Sequence, residues 1–155
     1  MQAFIARGGL WLLTQGMLML LVFVVPLRFG AGHLVPATPL EVIGLALTLL
    51  GACLIAWGFL SLGDALTPFP RPLEQATLHR HGAYRFMRHP IYTGVLLGGF
   101  GWALWWSSAY GVLCALLLAA FIDRKARREE TWLREKYPEY AGYERRVKKF
   151  IPGLY

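Results

Sequence analysis

The residues best suited to chemistry fall in two short stretches. The first is Gly82-Ala83-Tyr84-Arg85-Phe86-Met87-Arg88-His89-Pro90-Ile91-Tyr92-Thr93-Gly94, at the end of a long segment that also carries Pro68, Pro70, Pro72, His79 and His81. Proline suits the first turn of a helix. Pro90 therefore predicts a helix start, with Arg88 and His89 beside its N-terminus. Free backbone N–H groups and the helix dipole favour an anion there, and Arg88 adds a planar cation matched to a carboxylate. Plainer readings exist: Arg88 as an interfacial arginine that snorkels, His89 as a helix cap. His79, His81 and His89 invite a metal reading, but no cysteine lies near and Glu74 is the one close carboxylate. That is a poor ligand set, and no metal is expected.

The second stretch is Glu129-Glu130, set among Arg124, Lys125, Arg127, Arg128 and Arg134. Pairing of Glu130 with Arg134 at i,i+4 gives a solvated, salt-bridged helix. A carboxylate pair just outside a membrane is also able to receive a ligand's ammonium or hydroxyl groups, and periodicity does not choose between the two. Gly94, Gly98 and Gly101 share one helix face, with Gly99 adjacent. Such a face lets another helix approach closely or leaves room for a flat ligand; spacing favours packing.

The elements that must position these residues are apolar. Of 155 residues, 56% are hydrophobic and 16% charged, against about 25% charged in an ordinary soluble domain. This excludes a disordered chain and points to a membrane protein. Gly8–Leu27 and Val42–Leu62 are uncharged runs of 20 and 21 residues, each about one bilayer core long. Gly44, Gly51 and Gly58 recur every seven residues and predict a packing stripe. Ile91–Ile122 is uncharged for 32 residues, about 48 Å as one helix. Trp105-Trp106-Ser107-Ser108 breaks it near the middle, so it is read as a tight hairpin with tryptophans at the interface. Cys53 and Cys114 lie inside apolar runs and read as small hydrophobes.

Charge placement fits this reading. With four spans, 15 of the 16 Lys and Arg residues share one side, Arg7 and Arg71 among them, and Arg28 alone lies opposite. The positive-inside rule puts that side in the cytoplasm. The same placement accounts for the net charge of +7 without nucleic acid, which is not expected as a partner. The fold class expected is all-α: one polytopic membrane domain over 1–155. Its spans lie at about 8–27, 42–62, 90–106 and 109–123, followed by cytoplasmic helices at about 124–137 and 139–147. Both termini are expected in the cytoplasm, with the bacterial inner membrane as the location.

In order along the chain, Gly82-x-Tyr84-x3-Arg88-His89-Pro90-x-Tyr92-x-Gly94, Glu129-Glu130-x-x-Leu133, Tyr137-x-x-Tyr140-x-x-Tyr143 and Phe150-Ile151-Pro152 closely resemble the isoprenylcysteine carboxyl methyltransferase-like family, grouped with the integral-membrane phospholipid methyltransferases. The resemblance covers roughly residues 40–155, and the ordered set is more specific than any piece alone. It implies S-adenosylmethionine as cofactor, a lipophilic or lipid acceptor, and membrane lipid as surroundings. It nominates His89, Tyr92, Glu129 and Glu130 for cofactor binding, with Gly99 and Gly101 where phospholipid methyltransferases carry a Gly-x-Gly motif. Arg88 and Arg124 are the candidate catalytic residues. The family often has an arginine about four residues before the Glu pair; here that position is Lys125, with Arg124 next to it and Arg128 a turn later. The sharpest expectation is that Arg88 and His89 face the cofactor pocket instead of lipid headgroups, with Arg88 gripping the cofactor's carboxylate or polarising the acceptor. Two alternatives stand beside this reading: a non-catalytic four-span protein whose basic tail binds anionic lipid, and a same-fold membrane reductase using a nicotinamide cofactor.

Overall fold

The computed structural model of the protein describes residues 9–63 and 78–155. Arg7, Gly8, Pro68, Pro70, Arg71, Pro72 and Glu74, used in the readings above, lie outside the described residues. The described chain is all-helical: α1 (Gly9–Phe29), α2 (Pro39–Leu62), a 3-10 turn (Gly82–Arg85), α3 (Pro90–Trp105), α4 (Ala109–Lys136) and α5 (Tyr140–Arg146).

Local signals set the boundaries. The Thr38 hydroxyl accepts from the Glu41 N–H and Pro39 opens α2, so this helix starts three residues before the uncharged run. Capping chemistry decides such starts, whereas hydropathy marks only what can be buried in lipid. Ser108 caps α4 by accepting from the Gly111 N–H at 3.1 Å. Tyr137 closes α4 because a residue before proline is disfavoured in helical geometry. Between α3 and α4 the chain breaks at Trp106-Ser107-Ser108, with Ser107 at φ 47°. α4 then runs unbroken past Ile122, from an apolar half into a charged half.

Among the described residues, α1 and α2 are long and apolar enough to cross a membrane, with mean hydropathy of 2.1 and 2.2. Only 11% and 17% of their most apolar windows is buried inside the protein. The core helix of a soluble protein would hide such a surface; here Leu13, Met17 and Leu20 of α1 stand about 60% exposed.

The glycine stripes form one interface between α2 and α3. A Cβ on Gly44 would lie 2.2 Å from the Trp105 nitrogen, and one on Gly51 2.6 Å from the Gly94 oxygen. Facing them, a Cβ on Gly94 would lie 2.7 Å from the Gly51 oxygen, and one on Gly101 2.5 Å from the Thr48 nitrogen. These separations exclude any side chain, so the backbones touch directly. The bare face of Gly101, nominated for cofactor binding, is filled by α2. Gly99 turns toward α1, where an added Cβ would meet the Val22 side chain at 3.2 Å. Its bareness too serves helix packing.

α1 packs on α4, where Val22 joins Leu118, Ile122 and Ala126 in the core together with Phe150 from the C-terminal segment. The other end of the bundle is tied by Glu41, which the sequence reading passed over. It is 2% exposed and accepts from the Ala37 N–H at 2.8 Å. His33 Nδ1 lies 3.3 Å away and Ser107 Oγ 3.5 Å. This draws the 30–38 connection onto the turn between α3 and α4.

Candidate functional site

The start of α3, the charged half of α4 and the C-terminal segment converge on Arg88 and His89. The Arg88 N–H donates to the Lys148 oxygen at 2.8 Å and the His89 N–H to the Lys149 oxygen at 3.0 Å. The Thr93 hydroxyl donates to the Phe150 oxygen at 3.0 Å. Residues 147–150 are thereby sewn along the entry to α3. Two backbone donors that precede the helix gain partners in the process.

Arg88 neither snorkels nor stands free. Its side chain is 8% exposed, and every guanidinium nitrogen faces a protein oxygen. Nε donates to Glu130 Oε1 at 2.9 Å. Nη1 donates to the Val147 oxygen at 2.7 Å and to the Glu144 oxygen at 3.2 Å. Nη2 lies 2.8 Å from Glu130 Oε1 and 3.6 Å from Glu144 Oε1. The guanidinium is thus engaged by protein oxygens, with Glu130 in the position expected for a ligand carboxylate.

Glu130, 3% exposed, is likewise committed, since His89 Nε2 lies 3.0 Å from the same Oε1. Burial pushes its carboxyl upward, but the His89 contact and the Arg88 charge outweigh burial and hold it below the ordinary glutamate range. Its i+4 neighbour Arg134 forms a longer ion pair with it at 3.9 Å and binds Glu144 more closely, at 2.6 and 2.9 Å. Glu144 is held below the usual range chiefly by that Arg134 hydrogen bond. The Glu130–Arg134 pair offered by the i,i+4 spacing is present, but as the edge of a buried network joining the start of α3, α4 and α5.

Glu129 differs. It is half-buried and accepts from the Tyr92 hydroxyl at 2.9 Å. A carboxylate has about four acceptor positions, so capacity remains for another donor. The Tyr92 ring stacks on the His89 ring, with centroids 5.3 Å apart and planes 12° from parallel. Phe150 packs on His89 from the C-terminal segment at 5.9 Å. Glu129 and the Tyr92 hydroxyl thus form a half-buried acceptor beside a column of packed rings, suited to an ammonium or a hydroxyl pair.

Arg124 is exposed and stands outside this cluster. Lys125 takes the inward place: it is 2% exposed, with its ammonium 5.3 Å from the centre of the Tyr92 ring. Burial holds it below the usual lysine range, with the Glu129 charge acting against burial. Helical phase could have found this. Extending the buried stripe Leu118, Ile122 by steps of four reaches Ala126 and Glu130, with Lys125 and Glu129 flanking it, whereas Arg124 and Arg128 lie two residues off that stripe and point away. Asp123, reached by Lys149 Nζ at 2.8 Å and the Tyr155 hydroxyl at 3.0 Å, pins the C-terminal segment to α4 and was also passed over. Among the described residues no group of three or more His, Cys, Asp or Glu side chains is placed to hold a metal ion.

Comparison with known proteins agrees with this arrangement. Over 116 residues, 72% of this chain, it is 28% identical to the probable protein-S-isoprenylcysteine O-methyltransferases of Oryza sativa subspecies indica and japonica, covering 61% of each. Over 80 residues, 50% of this chain, it is 39% identical to the cobalt-zinc-cadmium resistance protein CzcN of Cupriavidus metallidurans, covering 37% of that protein. The chain thus spans roughly a third to three fifths of the length of these relatives. Residues 40–140, which run from the start of α2 to the start of α5 and include both the Arg88-His89 junction and the Glu129-Glu130 pair, match the phospholipid methyltransferase family as a whole, and it is to this family that the chain belongs.

Proposed function

We propose that the protein transfers a methyl group from S-adenosylmethionine to a membrane-embedded or lipophilic acceptor at the cytoplasmic membrane surface. The observation that carries this reading is the joining of two motifs 40 residues apart within the family match. Arg88-His89 and Glu129-Glu130 meet through Glu130, and Glu129 is left half-buried with acceptor capacity beside Tyr92. The donor set fits such a cofactor. Glu129 suits its ammonium or its ribose hydroxyls, and Lys125 is a cation not neutralised by a direct carboxylate contact.

When bound, the cofactor supplies an activated methyl group, so the protein's work is orientation and electrostatics. Glu130 fixes the His89 ring from Nε2, Arg88 neutralises Glu130 and anchors the C-terminal segment, and Tyr92 orients Glu129. A carboxylate acceptor needs no base; an amine acceptor gives up a proton, and Glu129 is the carboxylate placed to take it.

The same reading includes the topology. Besides α1 and α2, α3 and the apolar half of α4 cross the membrane as a hairpin, with Trp102, Trp105 and Trp106 toward the far interface. Both termini then lie in the cytoplasm, in a bacterial inner membrane, and the site sits where a polar cofactor from water meets a lipid from the bilayer. The test is incubation of purified protein with methyl-deuterated S-adenosylmethionine and membrane extract, followed by mass spectrometry. A labelled lipophilic product absent with Glu129→Gln supports the reading. No labelled product from wild type, across lipid and prenyl-cysteine acceptors, overturns it.

A further inference from the structure

Lys125 is the one buried ammonium close to Tyr92 and Glu129, and the structure gives it a single hydrogen-bond partner, Gln15 Oε1 of α1 at 2.5 Å. α1 lies outside the family-matched residues. Its approach to α4 is fixed nearby by Trp11 against Phe121, with ring centroids 5.4 Å apart, and by Val22 in the core. A buried ammonium with three donors and one neutral acceptor is costly to keep charged. Arg88, the neighbouring cation, has no such freedom, because Glu130 and two backbone carbonyls consume it.

We propose that Gln15 is a positioning residue of the site: its side-chain oxygen holds the Lys125 ammonium charged and against the Tyr92 ring, so that the first helix completes a site otherwise built by the start of α3, α4 and the C-terminal segment. The groups facing Lys125 are few. α3 presents Tyr92, α4 presents Glu129 one turn on, and α1 presents Gln15 and no charge. Removing the Gln15 oxygen withdraws a hydrogen bond that is stronger to the charged form, and replacing it by a carboxylate strengthens that bond. The two substitutions therefore shift the Lys125 titration in opposite directions, which loss of packing alone does not do.

The inference rests on the proposed methyl transfer for its meaning, but its test runs on the empty protein. In micelles, the 13Cε resonance of Lys125, assigned by its absence in Lys125→Arg, is titrated with pH. Gln15→Leu should lower the midpoint by roughly 0.5–1 unit, the size of one lost hydrogen bond, and Gln15→Glu should raise it. An unmoved midpoint in both overturns the inference. Should Gln15→Leu fail to insert, Gln15→Glu alone decides: an upward shift supports, none overturns. A second arm adds S-adenosylmethionine. If calorimetry shows binding and the Lys125 resonance stays still, Lys125 does not face the site and the inference fails. If nothing binds, the proposed methyl transfer fails, and the titration still decides whether Gln15 holds Lys125.

Discussion

Arg88→Lys separates an arginine that holds the protein together from one that holds a ligand. Lysine keeps the charge but lacks the planar fork. Its ammonium can stay with Glu130 Oε1, now 2.8–2.9 Å from the guanidinium, but it cannot also reach the Val147 and Glu144 oxygens that Nη1 serves at 2.7 and 3.2 Å. A buried carbonyl left without its donor costs about 1–3 kcal/mol. Two such losses, partly relieved by water, amount to roughly 2–4 kcal/mol, or a factor of roughly 30 to 700 in a local opening equilibrium. The loss should appear where residues 147–150 are sewn to α3. Hydrogen exchange in micelles should show the amides of Arg88 and His89, bonded to Lys148 and Lys149, losing protection by that factor. The amides of α2 should change little. Unchanged protection and thermal stability in Arg88→Lys would refute the clamp. Lost cofactor affinity alongside them would return Arg88 to ligand binding.

Four further outcomes are expected. Glu129→Gln should weaken S-adenosylmethionine binding about tenfold or more, through loss of a charge-assisted hydrogen bond, with the fold intact by circular dichroism. Glu130→Gln should chiefly destabilise, since it leaves the 8%-exposed Arg88 with its charge uncompensated. Because Glu130 is held below its ordinary value of 4.5, its contribution is complete above that pH and lost as pH falls through the lower folded value. Protection of the His89 amide should therefore hold above pH 4.5, fall off as pH drops below it, and lose this dependence in Glu130→Gln. Gly44→Ala and Gly101→Ala should each destabilise by about 1–3 kcal/mol in thermal unfolding, whereas Gly98→Ala, whose Cβ meets nothing within 4 Å, should be tolerated. Reporters fused at positions 3 and 155 should both read cytoplasmic, because the proposed four-span topology puts 15 of the 16 basic residues on that side.

Much of this was legible before the structure, and for physical reasons. Uncharged runs reveal helices because lipid tolerates no unpaired backbone, and α1 and α2 appeared within three residues of their observed ends. Pro90 marked the start of α3 because its ring fixes φ and removes a donor that the first turn does not need. The glycine stripes were readable as packing because helix phase puts Gly44, Gly51 and Gly58 on one face. What stayed hidden was partnership at long range. Nothing in the spacing of Glu130 distinguishes Arg134, four residues on, from Arg88, 42 residues back, and the buried partner won. Arg88 was read as facing a ligand because its acceptors are mostly backbone oxygens of residues 144–147, which no side-chain motif displays. Gln15 was invisible because a single amide in an apolar run carries no pattern.

The central claim is that Glu129, beside Tyr92, receives S-adenosylmethionine. Isothermal titration of the purified protein in micelles measures this without knowing the acceptor. Saturable one-to-one binding, displaced by S-adenosylhomocysteine and weakened at least about tenfold by Glu129→Gln, is the predicted result. Absence of saturable binding to a folded wild-type protein, or equal affinity in Glu129→Gln, would contradict it.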